Sequence, residues 1–215
     1  MTDNKQFFPQ TLPNNTSKLV GDLHQKQPDF LKDFYLSGGT ALSLQVGHRE
    51  SEDLDFFSQD SFNPQKLQQQ LSQLGKLKNI ELADGTVNTF LDGVKLRFLE
   101  YPYKLIKPTV IWQSIQLSSM EDIACTKLQT IGIRGSKKDF IDLYFLLSQY
   151  SLEDLFKLMQ KKYQDINYSK THILKSLVYF EDAKEQPLPR MHQAVSWDEV
   201  KKKMIEAVRE IKVET

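Results

Sequence analysis

Two Asp-Gly dipeptides, Asp84-Gly85 and Asp92-Gly93, constrain this chain more than any other feature, because each stands between runs rich in β-formers. A two-residue type I′ turn needs positive φ at both central positions, and Asp-Gly meets that need while matching the twist of the strands it joins. The flanking runs Ile80-Glu81-Leu82-Ala83, Thr86 to Leu91 and Val94 to Tyr101 therefore predict an antiparallel meander of three strands.

Around that meander the punctuation alternates strand and helix. Met1 to Asn15 is polar, carries Pro9 and Pro13, and reads as an arm before a helix over Ser17 to Lys26 that Pro28 stops. Phe34-Tyr35-Leu36 reads as a strand running into the Ser37-Gly38-Gly39 turn, and Thr40 to Val46 as a short helix capped by Gly47. Leu54-Asp55-Phe56-Phe57 reads as a second strand and Pro64 to Leu74 as a helix behind Asn63. Beyond Pro108, Ser118-x-x-Glu121, Ser136-x-x-Asp139, Ser151-x-x-Asp154 and Ser196-x-x-Glu199 each look like a helix start. The expected class is α+β, with a mixed unit over 1–110, a helical unit over 111–215, and a looser linker around Asp182 to His192.

Composition narrows the partners. Lysine plus arginine and aspartate plus glutamate are 28 each, so no global field draws in nucleic acid or an anionic membrane. A lone cysteine, Cys125, in an apolar helical pattern predicts a buried, inert thiol and a reducing, cytoplasmic setting. No stretch approaches the ~20 apolar residues of a membrane span, and the start of the chain lacks a secretory pattern, so no export is expected.

The chemistry-bearing residues cluster between Ser37 and Asp55. Strand alternation puts Asp53 and Asp55 on one face, with Leu54 and Phe56 on the other. Paired carboxylates of this kind suit hard divalent cations, Mg2+ or Mn2+ rather than zinc. Just before them, the backbone N–H groups of Ser37, Gly38, Gly39 and Thr40 would open a helix whose start can hold a triphosphate. Each signal alone has a plainer reading, since Gly-Gly is usually only a turn and Asp-x-Asp recurs by chance.

Taken in order, Gly38-Gly39-Thr40-Ala41-Leu42 and Gly47-His48-Arg49-x-Ser51-x-Asp53-Leu54-Asp55-Phe56-Phe57 resemble the signature of the AbiEii/AbiGii toxin-type nucleotidyltransferases. Asp122-Ile123-x-x-x-Lys127-Leu128 and Arg134-Gly135-x-x-Lys138-Asp139-Phe140-x-Asp142-Leu143-Tyr144 are similar to that family's two later motifs. The resemblance implies a polymerase-β-like nucleotidyltransferase core within 1–110, a helical C-terminal domain, metal on Asp53 and Asp55, and catalytic roles for Lys127 and Asp142. On that footing Lys127 would neutralise phosphoryl charge, Asp142 would orient the acceptor or Lys127 or take a proton, and Arg49 would fork onto phosphate oxygens. Glu100 and Asp139 are further candidates: Glu100 is the only acid on its strand, where polymerase-β-like enzymes usually carry a third carboxylate.

Plainer readings stand beside these. By residue type and position Asp139 is first a capping partner for Ser136, and Lys127 an ordinary snorkelling lysine. His48 is expected against the helix end at Gly47, and Lys161-Lys162 and Lys201 to Lys203 on solvated faces or against an RNA backbone. The expected activity moves a nucleoside monophosphate from a nucleoside triphosphate to a hydroxyl or phosphate acceptor, with tRNA or other RNA and a cognate antitoxin as partners the resemblance implies. The alternatives are a catalytically weak nucleotide-binding or protein-interaction module on the same scaffold, and an unrelated α/β protein.

Overall fold

The computed structural model describes residues 6–211, and residues 1–5 of the expected arm lie outside them. A seven-stranded mixed sheet carries the molecule. Its strands are β1 (Tyr35–Ser37), β2 (Leu54–Ser58), β3 (Leu77–Ala83), β4 (Thr86–Leu91), β5 (Val94–Glu100), β6 (Val110–Trp112) and β7 (Ile115–Leu117), in the spatial order β3-β4-β5-β2-β1-β7-β6. The meander forms as expected, β3 to β4 to β5, all antiparallel. Asp92 and Gly93 both have positive φ, 48° and 86°, as a type I′ turn demands, whereas at the first turn only Gly85 does, at 61°. That first turn is therefore not type I′.

Two pairings decide where the functional residues meet. β2 lies between β1, to which it is antiparallel, and β5, to which it is parallel. β1 is the strand before β2 in the chain, but β5 is three strands on, so the β2–β5 pairing is a tertiary outcome. β6 and β7 join the sheet through β7 and β1, so strands continue past Pro108 into the stretch expected to be purely helical. The apolar face of β2 anchors the sheet: Phe56 stacks on Phe98 of β5 at 5.0 Å, and Phe34 meets Phe98 edge-on. Burying each such side chain contributes about 1.5–3 kcal/mol.

The helices are α1 (Asn14–Lys26), α2 (Gly38–Val46), α3 (Pro64–Ser72), α4 (Met120–Ile133), α5 (Lys137–Leu146), α6 (Leu152–Lys162), α7 (Lys170–Leu177), α8 (Glu181–Lys184) and α9 (Trp197–Glu210). α1 begins at Asn14, earlier than expected, and the residues before it are docked: Phe8 N–H bonds the Leu44 carbonyl at 2.8 Å, and Thr11 and Leu12 are buried. α2 is buried on nearly every side, as small and apolar residues all round a helix require, and packs against α4 and α5. Gly47 caps it at φ 72°.

Ser136, Ser151 and Ser196 are the caps of α5, α6 and α9, but α4 is capped by Ser119, bonded to Asp122 N–H, not by Ser118. Asp122 also accepts from Ile106 N–H and from Lys162 Nζ at 2.7 Å, so Lys162 is buried in an ion pair rather than solvated. The segment expected to be a loose linker is pinned. Glu50 N–H bonds the Arg190 carbonyl, and His192 and Gln193 N–H groups bond the His48 carbonyl. Cys125 is fully buried, and burial pushes its thiol up to about 12.

Candidate active site

Ser37 at the end of β1 faces Asp55 of β2 in register, so the start of α2 and the acidic strand sit side by side. Gly38 makes that approach possible. Its φ is 67°, and a Cβ there would lie 3.0 Å from Asp55 Oδ2. Ser37 does not cap α2 with its side chain; its hydroxyl accepts instead from Ser118 Oγ at 3.0 Å. Among the described residues the first N–H groups of α2 are thus left without a side-chain cap, beside the carboxylates. Thr40 ties the two elements together, its hydroxyl lying against Ser51 Oγ at 2.9 Å and against the Asp53 carbonyl.

Asp53 and Asp55 both line a cavity of about 130 Å³ with Gly39, Thr40, Arg49, Ser51, Lys127, Arg134, Lys138 and Asp139. Their side chains are 47% and 30% exposed. Burial, and then the like charge of Asp53, raise the Asp55 carboxyl against the pull of Arg97. On the β5 side, Lys95 Nζ and Arg97 Nε each stand 4.0 Å from a carboxylate oxygen, of Asp53 and Asp55 respectively. Two carboxylates with spare lone pairs, facing one solvent-open cavity, fit a hard cation.

Behind the cavity lies a buried ionic network centred on Asp142, which is 0% exposed. Its Oδ1 accepts from Arg49 Nε at 2.7 Å and His48 Nε2 at 2.8 Å, and its Oδ2 from Arg49 Nη2 at 2.8 Å. Lys127 Nζ lies 2.6 Å from the same Oδ2 and donates to Asp139 Oδ1 at 2.7 Å. Burial works to raise the Asp142 carboxyl, but Arg49 and Lys127, with the His48 and Arg49 hydrogen bonds, hold it well below the usual range. Burial likewise works to lower Lys127, and its two aspartates raise it, so it stays charged. His48 is lowered chiefly by burial; neutral, it donates from Nε2, leaving Nδ1 without a hydrogen-bond partner.

This geometry revises several expectations. Arg49 commits its Nε and Nη2 fork to Asp142 and Nη1 to the Glu50 carbonyl, so it does not fork onto phosphate. Asp142 is fully buried and holds Lys127, one of the roles expected of it, together with Arg49 and His48. His48 binds Asp142 rather than serving the helix end. Asp139 is the capping partner expected, taking Ser136 Oγ at 2.5 Å, and its other oxygen takes Lys127, a pairing that was not expected. Glu100 is not brought to the site: it pairs with Ser58 at the far end of β2 and lies against Gly85. Sequence reasoning gave no role to Lys95, Arg97, Arg134 or Lys138. Strand parity could have flagged Lys95 and Arg97, but only the β2–β5 register shows that they face the carboxylates.

A family model described as "Nucleotidyl transferase AbiEii toxin, Type IV TA system" matches residues 23–215. The chain belongs to the AbiEii family. Within the AbiEii frame it is a nucleotidyltransferase, and an uncharacterized protein of Aquifex aeolicus (strain VF5) is 40% identical to it over 184 residues, 83% of this chain and 87% of that one. Two solved structures share the AbiEii fold seen here. A Helicobacter pylori protein assigned as a nucleotidyltransferase has a TM-score of 0.56 at 20% identity, covering 91% of this chain and 92% of its own. The nucleotidyltransferase toxin MenT4 of Mycobacterium tuberculosis has a TM-score of 0.56 at 12% identity, covering 94% and 87%. Among the described residues no helix is long and apolar enough to cross a membrane.

Proposed function

We propose that this chain transfers a nucleoside monophosphate from a nucleoside triphosphate to a hydroxyl or phosphate acceptor, releasing pyrophosphate. The observation that carries the reading is the 3.0 Å approach between the Gly38 Cβ position and Asp55 Oδ2, which puts the uncapped start of α2 and the carboxylate pair at one cavity. The triphosphate lies over the α2 N-terminus, with Ser37, Gly38, Gly39 and Thr40 N–H groups and the Arg134 and Lys138 side chains around it. Asp53 and Asp55 hold Mg2+ or Mn2+, which supplies charge neutralisation at the transferred phosphoryl group. Lys127 has two of its three N–H bonds on aspartates, leaving the third for a phosphate oxygen as charge builds on the leaving pyrophosphate. Asp142, Arg49 and Asp139 are positioning residues that keep Lys127 charged and aimed.

The acceptor enters by a larger groove of about 510 Å³ that shares Glu52 and Asp53 with the cavity and continues to Phe90, Lys95, Asn14 and Asn15. An RNA end, including that of tRNA, fits the reading, as do a cognate antitoxin and a cytoplasmic setting. The division into a nucleotidyltransferase unit and a helical C-terminal unit belongs to the same reading. A second reading is motivated by the basic residues Lys95 and Arg97, which stand where a third acid is usual: a weakly active module that binds nucleotide without turning it over.

Pyrophosphate release from each of the four ribonucleoside triphosphates, with Mg2+ or Mn2+ and total RNA, for wild type and Asp55→Ala, tests this. Release that needs metal, RNA and Asp55 is expected. Tight metal-dependent triphosphate binding with no release would favour the second reading.

A further inference from the structure

β2 is flanked by two different chemistries. On its β1 side, Asp55 faces Ser37 and the start of α2; on its β5 side, Asp55 is in register with Arg97, and Asp53 lies against Lys95. The acidic pair therefore has an anion-binding side and a basic side. A two-metal clamp sets its ions about 3.5–4 Å apart, between attacking and leaving oxygens. Holding both so close takes bridging carboxylates and further acids to balance four positive charges. Glu52 and Asp139 also line the cavity, but among the described residues no group of three or more His, Cys, Asp or Glu side chains is placed to share a metal.

The ground beside the pair is already occupied by fixed positive charge. Arg97 Nε is 4.0 Å from Asp55 Oδ1 and donates to Asn88 Oδ1 at 3.2 Å, which orients the guanidinium on the open face of the sheet. Its side chain is 37% exposed. Lys95 repeats the arrangement one step along β5, on the wall of the larger groove. A second dication on this side would meet the two cations Lys95 and Arg97, with Glu52 the one further carboxylate on the groove wall.

We propose that the site takes one divalent cation on Asp53 and Asp55, and that the Arg97 guanidinium stands in for the second ion, contacting the transferred phosphoryl group from the side where the acceptor enters. Asn88 is the positioning residue that aims it. Asp53 and Asp55 would hold the single metal, which would neutralise triphosphate charge, and Arg97 supplies fixed charge on the β5 side with donors suited to phosphoryl oxygens. This rests on the nucleotidyl-transfer reading, but it can fail while that reading stands.

The test is electron paramagnetic resonance of the full chain loaded with Mn2+, with and without a non-hydrolysable nucleoside triphosphate analogue, together with turnover of Arg97→Ala and Arg97→Lys. One manganese per chain with the hyperfine pattern of an isolated ion is expected. Arg97→Ala should keep that single ion with affinity equal or tighter, since a nearby positive charge is gone, yet lose about 100-fold in turnover. Arg97→Lys should recover part of the loss. A spin-coupled manganese pair in the wild type, or unchanged turnover in Arg97→Ala, would overturn the inference and leave nucleotidyl transfer intact. Absence of any bound manganese would overturn both.

Discussion

Arg49 grips Asp142 across 93 residues of sequence, with Nε on one carboxylate oxygen and Nη2 on the other, at 2.7 and 2.8 Å. The first residue follows the cap of α2 and the second lies within α5, so this one bidentate contact fixes the start of the acidic segment against the helical half. Because Lys127 shares the same carboxylate, the geometry of the cavity depends on a group that never faces it.

Asp142→Ala is expected to behave as a structural lesion as well as a catalytic one. Removing the carboxylate strands Arg49 and Lys127 as buried cations, a change that costs about 3–5 kcal/mol. Asp55→Ala should abolish transfer with the urea midpoint unchanged, because Asp55 faces the cavity. Urea titrations of both variants check this; wild-type stability for Asp142→Ala would remove the positioning role.

Gly39→Ala tests how tightly the network sets the start of α2. A Cβ at that position would lie 2.3 Å from Arg49 Nη2, and the fork on Asp142 prevents the guanidinium from stepping aside. The expected cost is about 1–3 kcal/mol, with transfer reduced at least about tenfold. Denaturation and pyrophosphate release read the two effects; a variant at wild-type rate would show that the helix start tolerates displacement.

Metal binding should titrate above the range of an ordinary aspartate. Burial and Asp53 raise the Asp55 carboxyl above 3.8, so protons compete with the cation at milder acidity than a free carboxylate would allow. Manganese affinity should fall about tenfold per pH unit below that raised value. Equilibrium dialysis across pH measures it, and affinity flat down to pH 3.8 would contradict the assignment of Asp55 as a ligand.

Stability should be lost in two steps as pH falls. His48 and Asp142 both have folded values below their ordinary 6.5 and 3.8, so the unfolded chain takes up protons first. The stability each contributes is present above its ordinary value and drains away below it, from His48 first and Asp142 later. His48→Gln should erase only the first step, which urea midpoints at successive pH values would reveal.

The Asp-Gly turns, the Gly47 cap, the serine caps of α5, α6 and α9, and the apolar face of β2 were legible in the sequence because each is a local rule about φ, capping or alternation. Asp53, Asp55 and the glycines before them were legible for the same reason, and the family motifs added Lys127 and Asp142. The cap of α4 was misplaced by one residue because Ser118 and Ser119 offer the same hydroxyl, and only the burial of Ser118 against Ser37 separates them.

By itself, then, the sequence determined which residues could carry charge to one place and which short elements would present them. What only the tertiary structure decided is their company. Inserting β2 between β1 and β5 gave the carboxylates an anion-binding helix start on one side and Arg97 on the other, and it left Glu100 at the wrong end. Packing α2 against α4 and α5 turned Arg49 and Asp142 from reagents into a buried brace. The physical reason is that strand order and helix packing are set by the whole core burying its apolar surface at once. No local pattern around Asp55 or Asp142 contains that information.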